Sequence, residues 1–280
     1  MVAAPEPIPV RDSMPHGHTA PDTSLARSTH RVCRPCLPYR ATRPSCTLRP
    51  MWHLSPNESA AFALSLQVAA ESVVLCLIPG LCAAVLLARR HWRGRLALDA
   101  LIHLPLVLPP VLVGYLLLIV FGARAPVGHW LATRLGVHLP FTTHGAALAT
   151  AVMTLPLLVR AMRLSLEQLD PGLDDAARLL GAARWDRFTT ITLPLMLPGI
   201  LAGIITAFAA SLGEFGAVIT FAGNVPGETQ TLPLALYSAL ASVDGESAAW
   251  RLAGLSLALG IGGLIIAELI ARRMHRWLGR

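Results

Sequence analysis

The sequence predicts an all-α membrane protein that crosses the bilayer about five times. Three observations carry that fold class. Of 280 residues, 54% are apolar and only 14% are charged, where an ordinary soluble domain has about 25% charged residues. The mean hydropathy is +0.57. The apolar residues gather in five runs, most near the ~20 residues that ~30 Å of hydrocarbon demands at ~1.5 Å per residue. The 23 basic residues are all arginine; beyond the seven in the N-terminal arm (Arg11, Arg27, Arg31, Arg34, Arg40, Arg43 and Arg49), which fit the topology only if the chain starts at Met51, most cluster at alternate ends of those runs. This composition excludes a disordered chain and argues against a soluble enzyme. Helices are the expected form because backbone groups in lipid must be paired within their own segment.

The runs follow one another from about Ala60 to Ala88, Leu101 to Phe121, His144 to Met162, Pro198 to Phe221, and Trp250 to Ala271. The first exceeds the minimum, so it tilts or extends past the lipid. The membrane domain spans residues 59–275. Residues 1–58 differ: they are rich in Pro, Arg, Ser and Thr and hold no apolar run. They read as a disordered arm without the apolar core of a signal peptide, or as the product of a start upstream of Met51. Cys33 and Cys36 form a single C-x-x-C with no second pair at zinc spacing, and Cys46 stands apart. Cys76 and Cys82 lie in the first run and behave as small hydrophobes. No metal site is expected, since His129, His138 and His144 show no ligand spacing.

Orientation follows from the arginines. Arg89, Arg90, Arg93 and Arg95 follow the first run; Arg160, Arg163, Arg178, Arg184 and Arg187 lie between the third and fourth; Arg272, Arg273, Arg276 and Arg280 close the chain. The opposite loops hold Arg124 and Arg134, and none falls between Gly223 and Ser247. The positive-inside rule places the rich side in the cytoplasm, with the N-terminus periplasmic and the C-terminus cytoplasmic. The net charge of +7 therefore reports membrane topology, and no nucleic-acid partner is expected.

The inward segment at 170–194 carries the most information. Asp170-Pro171 offers an N-cap followed by proline at the first helical position. Asp174 and Asp175 place acid where the helix dipole favours it. Leu173, Ala176, Ala177 and Leu180 fall on one face at helical spacing, and Gly181 ends the helix. A second short helix is expected from Ala183 to Thr190, past Trp185, before Leu193-Pro194 turns the chain back to the membrane. So short an amphipathic helix cannot bury its face alone and must dock on something. Asp175-Ala176-Ala177, then Gly181 after three residues, then Ile191-Thr192-Leu193-Pro194 after nine, resembles the E-A-A-x3-G-x9-I-x-L-P loop of ABC-importer permeases. The single departure is Asp175 in place of glutamate. That resemblance implies the type I permease fold. It also makes Asp174 to Gly181 a cytoplasmic coupling helix seated in a groove of a separate ATPase subunit.

Two further stretches resemble the molybdate permease branch of that family: His103 to Tyr115, and Ser211 to Ala217 continuing through Asn224 to Pro233. Pro105, Pro109 and Pro110 each remove a backbone donor and disturb their helix, and Gly114 permits close packing. This marks the second run as a pore-lining, gating helix. Ser211, Gly213, Glu214 and Gly216 are the matching candidates in the fourth run. A carboxylate inside a membrane span is costly and normally faces the bundle interior or water. Because it repels a dianion, Glu214 is read as structural. Glu71, with Gln67 one turn before it, is read alike. Ser211 and Thr220 could bond an oxyanion, although mid-helix hydroxyls more often bond their own backbone. Asn224, Pro226, Gly227 and Glu228 mark an outer loop suited to docking a soluble binding protein, alongside the loop from Gly122 to Thr143.

No G-x-x-x-x-G-K-[ST] motif occurs, and the chain has no lysine to complete one. ATP and its magnesium therefore belong to a partner, and no cofactor is expected on this chain. Five helices are too few to enclose a hydrophilic path, so a homodimer in membrane lipid is expected; the resemblance implies two ATPase subunits and a periplasmic molybdate-binding protein, carrying molybdate or tungstate. A sulfate or thiosulfate permease is the alternative, and an intramembrane enzyme using Glu71 or Glu214 is a distant one.

Overall fold

The computed structural model describes residues 55–88, 93–243 and 245–277. Nearly all of the 1–58 arm lies outside the described residues, with Met51, Cys33, Cys36 and Cys46; so do Arg89, Arg90 and Arg280. All described secondary structure is helical. Four helices are long and apolar enough to cross a membrane, or five when one bent pair counts as a span.

α1 (Pro56–Ala88) opens on a reciprocal cap: Ser55 N–H donates to Glu58 Oε2 at 2.7 Å, and Glu58 N–H donates to Ser55 Oγ at 3.3 Å. α5 (Thr143–Glu167) is the central helix, and α1 runs parallel to it. Their register is set where Cys76 Sγ donates to the Ala151 carbonyl at 2.9 Å. α8 (Leu193–Leu212) returns antiparallel to α5 and touches α1 as well. Gly199 and Gly203 form a small-xxx-small stripe against Ser165, Ala161 and Leu158. Small residues let membrane helices approach closely enough for dispersion to hold them. Leu87, Leu158, Val159, Met162 and Met196 fill this end of the core. α10 (Leu232–Ala241) and α11 (Glu246–Trp277) close the other end through Ala61, Leu232, Ala235 and Leu252.

Several expectations are corrected. The second run is two helices, α2 (Arg95–Val107) and α3 (Pro110–Phe121), bent by 118°. Pro109 cannot donate, and Pro110 starts a new helix at its favoured first position. Pro105, by contrast, is accommodated inside α2. The fourth run is also broken: α8 ends at Leu212, and α9 (Gly216–Phe221) starts after Gly213, Glu214 and Phe215. Glu214 is therefore not within a helix.

Leu193-Pro194 does not turn the chain. α7 (Arg184–Arg187) passes through a widened turn, Phe188–Thr192, straight into α8. The Leu193 N–H bonds five residues back to the Phe188 carbonyl, and this widening accommodates the proline that follows. Finally, the two loops expected on the periplasmic side contain helices, α4 (Pro126–Leu135) and α10, which hydropathy did not separate from their surroundings.

Candidate functional site

The segment between α5 and α8 forms a lobe at the arginine-rich end. Asp170 Oδ1 accepts from Gly172 N–H at 2.8 Å and caps α6 (Pro171–Leu179). Gly181, at φ +80°, ends it. The Gly181 N–H donates to the Arg178 carbonyl and the Ala182 N–H to the Ala177 carbonyl, which is the double bond of a Schellman stop. A left-handed residue there favours glycine.

Of the residues expected on one apolar face, only Ala177 is buried; Leu173 and Ala176 are exposed. Leu180 is the C-cap, just past the last helical residue. Leu179 is 90% exposed, Leu180 88% and Trp185 73%, with Trp185 stacked on Phe188 at 5.8 Å. Asp175 is exposed and pairs loosely with Arg178 at 3.8 Å. The Asp174 side chain lies outside the described residues. Ile191 and Leu193 are half-buried and Pro194 is exposed.

The two helix breaks meet. A Cβ on Gly216 would lie 2.7 Å from Pro110 Cβ. One on Gly114 would lie 2.7 Å from the Ala217 carbonyl oxygen and 2.8 Å from Thr220 Cβ. α3 and α9 therefore run side by side in a contact that only glycine permits at both points. Pro109, Pro110 and Gly213 at the breaks are exposed, while Pro105 and Glu214 are half-buried. Glu214 Oε1 accepts from the Ala217 N–H at 3.0 Å and caps α9.

Ser211 is spent on a helix contact: buried, it lies 2.9 Å from Ser72 Oγ of α1 and donates to its own Ala207 carbonyl at 2.7 Å. Thr220 donates to the Gly216 carbonyl in the same way.

In the loop after α9, Asn224 turns inward. Its Nδ2 donates to Ser238 Oγ at 2.8 Å, and its Oδ1 accepts from Gln230 Nε2 at 3.0 Å. Pro226, Gly227 and Glu228 are exposed at the tip, where Gly227 has φ +83°. The Glu228 carbonyl accepts from Thr143 Oγ1 at 2.7 Å. Glu71 is held between Gln67 Nε2 at 2.9 Å and His144 Nδ1 at 3.0 Å.

Two ion-pair sets escaped the sequence reading. Glu58, whose side chain is 6% exposed, pairs with Arg251 at 2.8 Å and ties α1 to α11. Arg163 bonds both Asp99 Oδ1 at 3.1 Å and Glu167 Oε1 at 2.9 Å, tying α2 to α5. Sequence separations of 193 and 64 residues gave no local signal for either. Among the described residues no cluster of three or more His, Cys, Asp or Glu could hold a metal ion.

A model of the binding-protein-dependent transport system inner membrane component family matches residues 80–276. The molybdenum transport system permease protein ModB of Escherichia coli (strain K12) is 50% identical over 81% of this chain and 99% of its own length. That of Haemophilus influenzae is 47% identical over 80% and 97%. Among solved structures, a bacterial alginate ABC transporter chain superposes with TM-score 0.61 at 19% identity, covering 81% of each chain. The helical bundle is thus a fold shared with an ABC transporter chain. The chain belongs to the binding-protein-dependent transport system inner membrane component family.

Proposed function

We propose that the chain is the permease of a molybdate importer, working as a homodimer with two ATPase subunits and a periplasmic oxyanion-binding protein. The observation that carries the ATPase partnership is the lobe: Leu179 and Leu180 stand almost fully in the open and Trp185 largely so, on a segment whose helix is capped at Asp170 and stopped at Gly181. Large apolar side chains on a well-formed polar-end helix mark a docking face. Support for molybdate comes from the relatives, which match along nearly their whole length and are named for molybdenum transport.

In this proposal the arginine-rich end is cytoplasmic, the N-terminus periplasmic and the C-terminus cytoplasmic. Five spans enclose a hydrophilic path poorly, so a second copy completes it about a two-fold axis. The abutting breaks at Pro109-Pro110 and Gly213–Gly216 border that path. The exposed tip at Pro226, Gly227 and Glu228 receives the binding protein. ATPase closure moves α6, the spans rotate, and the path opens outward to accept the anion. Affinity resides in the binding protein, because a tight site in the path would slow release.

ATP and magnesium sit on the ATPase subunits. Proteoliposomes holding this chain, its ATPase and its binding protein should take up molybdate, with tungstate competing and sulfate in equal excess not competing. Uptake of sulfate with molybdate inert would replace this substrate with the alternative.

A further inference from the structure

α2 is only lightly anchored by apolar packing at the arginine-rich end. Among its described residues Ile102 alone is buried, with Leu98 packed partly against the same core. Its far end is free of α3's direction because of the 118° break. What fastens α2 is polar. Asp99 Oδ1 accepts from Arg163 Nη1 at 3.1 Å, and Arg163 Nε donates to Glu167 Oε1 at 2.9 Å. Arg95, the first residue of α2, reaches Glu167 at 3.6 Å. His103 Nδ1 stands 3.3 Å from Asp99 Oδ1 and 2.9 Å from the Asp99 carbonyl.

Two arginines and two carboxylates thus alternate across one contact, each carboxylate shared between two neighbours. These side chains are only partly exposed, between 24% and 41%. Shared, partly desolvated ion pairs hold position better than an isolated surface pair. Glu167 is also the last residue of α5, and only Gln168, Leu169 and Asp170 separate it from α6.

We infer that Asp99, Arg163 and Glu167 form a clasp that makes α2 follow the lobe. A displacement of α6 pulls the end of α5. The clasp passes that displacement to the first turn of α2. α2 then carries it to the break at Pro109, which α9 abuts through Pro110 and Gly216. These three are positioning residues, acting on the path through α2 without touching the transported anion. The inference rests on the proposed function, since it needs a partner that moves α6.

The test is the number of molybdate ions moved per ATP hydrolysed by the reconstituted complex. Asp99→Asn and Arg163→Gln should each lower that ratio about fivefold, with ATP hydrolysis and complex assembly within about twofold of the parent. The double variant should be no worse than the worse single one, because both remove the same link. Asp99→Glu, which keeps the charge, should recover most of the ratio.

Singles with an unchanged ratio overturn the clasp alone. So does a parallel fall in hydrolysis and uptake, which marks general loosening. A parent chain that never retains an ATPase subunit overturns the proposed function, and the clasp with it.

Discussion

The α5–α8 contact and the α6–α7 lobe adjoin in sequence and are opposites in packing. In the contact, small residues are buried: Gly199 and Gly203 let α8 close on Ala161, Ser165 and Leu158. In the lobe, large apolar residues are exposed: Leu179, Leu180 and Trp185. The contact is solved within this chain, so its energy appears as stability. The lobe is solved only in its backbone, through the Asp170 cap and the Gly181 stop. Its side-chain energy is left for a surface that the chain does not supply. Substitutions in the two regions should therefore separate stability from association.

The largest effect on stability belongs to the buried polar tie of the bundle. Glu58→Gln leaves Arg251, whose side chain is 29% exposed, facing a neutral amide where the buried carboxylate stood. Losing a charged hydrogen-bond partner in such a half-buried pair costs about 2–3 kcal/mol. The unfolding midpoint in detergent should fall accordingly. Glu58→Gln combined with Arg251→Met should regain much of the loss, because no unpaired charge then remains. An unchanged midpoint for the single variant would mean that α11 is held by its apolar contacts alone.

Gly199→Ala comes next. Its methyl group would overlap the Ser165 side chain and approach the Ala161 carbonyl oxygen at 3.0 Å. Overpacking of this kind costs about 1–3 kcal/mol. Gly254→Ala is the matched control, since nothing lies within 4 Å of a Cβ there. It should be neutral or slightly stabilising, as alanine favours the helix by about 0.5–1 kcal/mol. Equal losses at both positions would show that helix-interior glycine is not acting through the α8–α5 contact.

What the sequence made legible was local. The ends of the apolar runs fell near the helix ends, and Asp170-Pro171 and Gly181 announced their caps because capping involves only neighbouring backbone groups. The breaks were less visible. Gly213-Glu214-Phe215 interrupts α8 and α9 within one apolar run, and averaging hydropathy over a span's length hides three residues. Leu193-Pro194 looked like a turn because the relief, a widened turn over Phe188–Thr192, is a backbone adjustment with no residue signature. Ser211 looked open to an anion because its partner, Ser72, lies 139 residues away. The Glu58–Arg251 and Asp99–Arg163 pairs were hidden for the same reason. Arg163, counted for topology, gave no sign that it is also structural.

Leu180→Ser sharpens the contrast from the lobe's side and should have the smallest effect on folding. The side chain touches little of its own chain, so removing it should alter stability by no more than about 0.5 kcal/mol. The Schellman stop at Gly181 uses backbone groups only and is retained. The same side chain, if it seats in a partner's pocket, belongs to the fully desolvated centre of that interface. Truncation there weakens binding about tenfold or more. Retention of the ATPase subunit on the purified chain should fall by that factor while the unfolding midpoint stays at the parent value. A fall in midpoint comparable to that of Gly199→Ala would place Leu180 within the bundle's own packing. Retained association would move the docking face off this lobe.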